Sequence, residues 1–101
     1  MWFGVAINAV HAAIALTDSL SIVLRRERYA GQTHDEAVTY YAALPIAEQS
    51  FKQSVLRFGS ILSIKHRAEY AGEAVSEKDA ESILKQLERL RDFINVKLPT
   101  R

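Results

Sequence analysis

Residues 76–97 read "SEKDAESILKQLERLRDFINVK", and their spacing decides the fold. Ala80, Ile83, Leu84, Leu87, Leu90 and Ile94 recur at intervals of three and four, which places them along one stripe of an α-helix. Ser76 precedes the run as an N-cap. Glu77, Asp79 and Glu81 lie toward the positive end of the helix dipole, and Arg89, Arg91 and Lys97 toward its negative end. No stretch alternates with the period of two that a half-buried strand requires, and nothing repeats at a fixed interval.

Working back from that helix, Gly72, Pro45 and Gly31 divide the chain into four helical segments. The first runs from about Phe3 to Tyr29 and has an apolar arc of Ala6, Ala9, Val10, Ala13, Leu16, Leu20, Val23 and Leu24. Ile7, Ile14 and Ile22 interrupt its other side, so the pattern calls for more than one packing partner. The second opens with Thr33 as N-cap and Glu36 three residues on, a capping box, and stops before Pro45. The third runs from about Phe51 to Tyr70, with Ser50 and Gln53 as its expected capping box. The expectation is a single all-α domain over residues 1–101: a four-helix up-down bundle with a short second helix.

Composition narrows the function classes. The chain has 101 residues, 13 Lys and Arg against 12 Asp and Glu, and no cysteine. A net charge of +1 does not provide the broad basic surface of a protein that grips nucleic acid by charge alone. The absence of thiols excludes disulfide and thiolate chemistry and suits a reducing cytoplasm. The opening "MWFGVAINAVHAAIAL" (residues 1–16) lies in a stretch with no lysine or arginine before Arg25 and contains Asn8 and His11, which argues against a signal peptide. Its uncharged run ends at Asp18, short of the roughly 20 apolar residues that span a bilayer, so the reading is a buried helix with no membrane partner.

Three stretches taken in order carry a family likeness: "ALTDSL" (15–20), the junction "RERYAGQTHDEAV" (26–38), and "SIKHRAEYAGEAVSEKDAESILKQLERL" (63–90). The chain resembles the HEPN superfamily of small helical domains. That resemblance implies a homodimer, here through the first helix, and a place beside a nucleotidyltransferase partner or in a toxin-antitoxin system. Ribonucleases of the superfamily carry an arginine and a histidine just before the last core helix. Aligned on Tyr70, those positions fall at Ser63 and Ala68, with His66 displaced by two residues, so the usual pair is missing.

Arg28 and His34 match that spacing at a different junction. His34 also falls in register with Ala37, Val38 and Tyr41 on the second helix, and Lys65 with Phe58, Ile61 and Leu62 on the third. A buried ammonium needs a counter-charge, and Asp18 is the candidate. Asp18, Arg28, His34, Lys65 and Tyr70 therefore form the candidate cluster, read either as a hydrogen-bond network that sets helix register or as a site.

The leading expectation is a non-enzymatic, dimeric, cytoplasmic partner or nucleotide-sensing module. The alternative is an endoribonuclease with catalytic Arg28 and His34, and Asp18, Lys65 and Tyr70 in binding roles. Phosphate-binding glycine loops and nucleophile motifs are absent from the sequence, and no cofactor or metal is expected.

Overall fold

The computed structural model describes residues 2–27, 31, 33–70, 72 and 74–99, and for His34 the backbone only. Four helices follow one another: α1 (Trp2–Arg25), α2 (His34–Ala42), α3 (Ser50–Tyr70) and α4 (Glu77–Lys97). Among the described residues there is no strand, and the chain folds as a helical bundle.

The three long helices pack against one another in every pairing, while α2 lies against α3. Phe51 near the start of α3 stacks on Phe93 near the end of α4 at 6.0 Å, and Arg67 near the other end of α3 lies close enough to Asp79 to act on its charge. These two helices therefore run antiparallel. Tyr41 likewise meets Phe51 and Phe58, whereas Thr33 and Asp35 share a groove with His66 and Tyr70, so α2 and α3 form a second antiparallel pair.

Packing follows from residue size. On α1 the core face is Ala6, Ala9, Val10, Ala13 and Leu20, and its alanines let the neighbouring helices approach closely. Phe58, Ile61 and Leu62 of α3 and Ile83, Leu90 and Ile94 of α4 fill the space between. Two hydroxyls are buried on α1 without penalty: Thr17 donates to the Ile14 carbonyl at 3.1 Å and Ser21 to the Thr17 carbonyl at 2.9 Å.

The helix ends show where local rules held. Ser76 and Asp79 form a reciprocal capping box, with the Asp79 N–H donating to Ser76 Oγ at 3.0 Å and the Ser76 N–H to Asp79 Oδ2 at 3.1 Å. The Ser76 N–H, and after it the Ser76 hydroxyl, hold the Asp79 carboxyl below its ordinary range. Thr33 Oγ1 accepts the Glu36 N–H at 3.1 Å and caps α2. Ser50 instead lies inside α3 as its first residue. The chain enters that helix through three-residue turns from Phe51 N–H to the Glu48 carbonyl and from Lys52 N–H to the Gln49 carbonyl.

α1 stops four residues before the expected Tyr29. Arg26 adopts the left-handed conformation, with φ at 58°, and returns its N–H to the Ile22 carbonyl at 2.9 Å. A glycine would do this freely, whereas an L side chain there costs about 1 kcal/mol. His11 is exposed on α1.

By length and composition α1 could cross a membrane, with a mean hydropathy of 1.6 over its most apolar 18-residue window. One third of that window is buried inside the fold, and the exposed side carries Asn8 and His11.

Burial ranks the apolar positions of α4 differently from their place in the sequence. Leu87 is central in the stripe yet only partly buried, while Leu90 is fully enclosed. Leu90→Ala is expected to cost about 2–5 kcal/mol of stability, and Leu87→Ala clearly less. Denaturant melts of the two variants check this, and equal losses would show that the core has been placed on the wrong flank of α4.

Candidate functional site

The candidate site is built around α2, because α2 is short and both of its flanks border a cavity. Three interactions position it. Tyr41 is buried, its hydroxyl lies 3.0 Å from Ser54 Oγ, and Ser54 in turn donates to the Phe51 carbonyl at 2.7 Å. The Tyr41 ring meets Phe51 and Phe58 edge-on, with centroids 5.1 and 5.5 Å apart. At the C-terminus of the helix, the Arg25 guanidinium donates to the Ala43 carbonyl and lies over the Tyr40 ring at 5.5 Å. The arginine at the end of α1 thus neutralises the negative end of α2, so the C-terminal ends of the two helices meet.

Between α1 and α2 is a cavity of about 250 Å³, lined by Ile14, Ala37 and Phe58 with Thr17, Asp18 and Thr33 among its polar groups. On the other flank, between α2 and α3, lies a groove of about 720 Å³. Val38, Gly59 and Leu62 line it together with the hydroxyls of Thr33, Thr39 and Ser63 and the carboxylate of Asp35. Its far end carries His66 and Tyr70, one turn apart on α3 with ring centroids 4.6 Å apart. Both rings are exposed, Tyr70 by 76%.

These features separate the expected cluster. Asp18 is half-buried and faces the α1–α2 cavity, whereas Tyr70 stands on the α2–α3 groove. Lys65 is only 19% exposed at its side chain, and its ammonium pairs with Glu69 at 3.1 Å, one turn on in the same helix. That pair meets the counter-charge requirement within α3, where Asp18 had been the expected partner. His34 is the first helical residue of α2, next to Thr33, which borders both cavities. Arg28 lies outside the described residues. Among the described residues no group of three or more His, Asp or Glu could hold a metal ion.

Sequence reading missed the His66–Tyr70 ring pair, although its i, i+4 spacing on a helix was a usable signal. It also missed the Tyr41–Ser54 bond, for which no local pattern exists. No family model, curated protein or solved structure matches the chain.

Burial raises the Tyr41 phenol pKa above its ordinary value, and the Ser54 hydroxyl pulls it back in part. A raised phenol pKa means that the folded chain keeps its proton where the unfolded chain loses it. The stabilising contribution is therefore complete below pH about 10 and is lost as pH climbs above that value. Melting temperature should fall more steeply between neutral and strongly alkaline pH in the wild type than in Tyr41→Phe. Parallel profiles would mean that the phenol is not buried as described.

Proposed function

We propose that the protein is a non-enzymatic, HEPN-like helical module that binds the base of a nucleoside or nucleotide in the α2–α3 groove. The observation that carries this reading is the exposed His66–Tyr70 pair at the end of a groove of about 720 Å³, a volume usual for small-molecule sites. The two rings, inclined to each other by 36°, offer exposed aromatic faces, and stacking on aromatic side chains tolerates any base. Asp35 and the Thr33, Thr39 and Ser63 hydroxyls would take up N–H and O–H donors at the base edge or the sugar. Asp35 and Glu36 occupy the first turn of α2 and oppose the attraction of its dipole for phosphate. Recognition thus rests on the base, with phosphate left in solvent.

Titration of the protein with the four common nucleosides, followed by NMR shifts of the His66 and Tyr70 rings, tests this. At least one nucleoside should saturate, Tyr70→Ala should weaken it by about tenfold or more, and Tyr70→Phe should keep it. No ring shift with any nucleoside at millimolar concentration would dismiss the reading.

One observation favours a second reading, an endoribonuclease using Arg28 and His34: His34 opens α2 beside Thr33, where both cavities meet. The two readings part on RNA. The binding module leaves a labelled single-stranded RNA intact over hours, whereas cleavage that disappears in His34→Ala would favour the nuclease.

A further inference from the structure

We infer that the α2–α3 groove selects guanine among the bases, the Asp35 carboxylate accepting from the ring N1–H and the exocyclic N2 amino group while the base stacks on His66 and Tyr70. This inference rests on the base-binding reading of the same groove and adds which base it takes.

Helix register puts the selecting groups on facing walls. Asp35, Val38 and Thr39 follow i, i+3, i+4 along one side of α2, and Ser63, His66 and Tyr70 follow i, i+3, i+7 along one side of α3. All six line the groove. Because the two helices run antiparallel, Asp35 in the first turn of α2 lies toward the C-terminal end of α3, where the ring pair stands. One end of the groove thus combines exposed aromatic faces with a carboxylate.

The hydrogen-bonding capacity of the α2 wall is one-sided. An ionised carboxylate only accepts. Thr39 donates its hydroxyl proton to the Asp35 carbonyl at 3.0 Å, which leaves that oxygen only its lone pairs to offer a ligand. Among the described residues no ion pair neutralises the exposed Asp35 carboxylate. The wall therefore presents acceptors and negative charge.

A ligand that fits such a wall carries two donors side by side. Guanine alone of the four common bases does so, since its N1–H and N2 amino group are parallel and match the two oxygens of one carboxylate. Adenine and cytosine set a ring-nitrogen acceptor beside their amino group. Uracil has a single N–H between two carbonyls. Each of these three turns a lone pair toward the carboxylate and loses one of the two bonds. The acceptor left on the guanine edge is O6, and the Ser63 hydroxyl on the α3 wall is a donor for it.

Titrations with guanosine, inosine, adenosine and xanthosine, followed by the His66 and Tyr70 ring signals, test the selection. Guanosine should bind about tenfold tighter than adenosine or better, because it alone makes both bonds to a charged acceptor. Inosine keeps the N1–H but lacks the N2 amino group, and should bind several-fold more weakly than guanosine. In Asp35→Asn the amide accepts from N1–H and donates to a carbonyl at C2, so the preference should pass from guanosine to xanthosine. Adenosine or inosine binding the wild type as tightly as guanosine would overturn the assignment while leaving base binding in place. An Asp35→Asn variant that weakens all the nucleosides alike would overturn it too, since Asp35 would then contact the sugar that they share. No ring shift with any nucleoside would remove the base-binding reading itself, and guanine selection with it.

Discussion

Everything distinctive in this bundle depends on the seating of Tyr41. A nine-residue helix is too short to persist in water on its own hydrogen bonds, so α2 depends on the burial of one of its large side chains, Tyr41. The ring occupies the space between Phe51 and Phe58, and its hydroxyl, which would be costly to bury alone, is matched by Ser54. Ser54 is itself satisfied by the Phe51 carbonyl, so the polar chain ends on the backbone of α3 with no donor left over. An apolar ring and two hydroxyls therefore fix where α2 lies on α3, and with it the width of the groove between them.

The other contacts of the same region reinforce that placement from outside. Arg25 holds the C-terminus of α2, and beyond it Glu48 pairs with Lys97, which also sits over the Phe93 ring at 5.6 Å. Because Phe93 stacks on Phe51, the segment that follows α2 is tied to the end of α4 through one continuous patch of aromatic and charged groups. Tyr40, beside Arg25, has its phenol pKa raised by partial desolvation and by Glu27, with Arg25 opposing. These exposed contacts are individually weak. Their value is geometric, since they fix the C-terminal end of α2.

What was legible in the sequence was local. The stripe of α4, the Ser76 cap and the Thr33 cap are patterns within one or two turns, and backbone physics enforces them wherever they occur. The Lys65–Glu69 pair was readable on the same grounds, as an i, i+4 couple that needs no tertiary structure. The end of α1 was not readable, because an arginine in the left-handed conformation at Arg26 contradicts the residue preference that a reader must use. The bond from Arg25 to Ala43 and the pair of Glu48 with Lys97 link positions 18 and 49 residues apart. A single sequence carries no periodicity that joins such positions. The cluster of Asp18, Arg28, His34, Lys65 and Tyr70 was assembled from helix register, the need for a counter-charge and a family likeness, and none of these fixes how separate helices sit against one another.

The most direct test of this account is native-state hydrogen exchange of Tyr41→Leu, a change that keeps an apolar side chain but removes the hydroxyl and the ring. The account predicts that the amides of α2 lose protection and exchange nearly as fast as a frayed terminus, while those of α1, α3 and α4 remain protected. An α2 as well protected in the variant as in the wild type would contradict it, because some other contact would then be holding the helix in place.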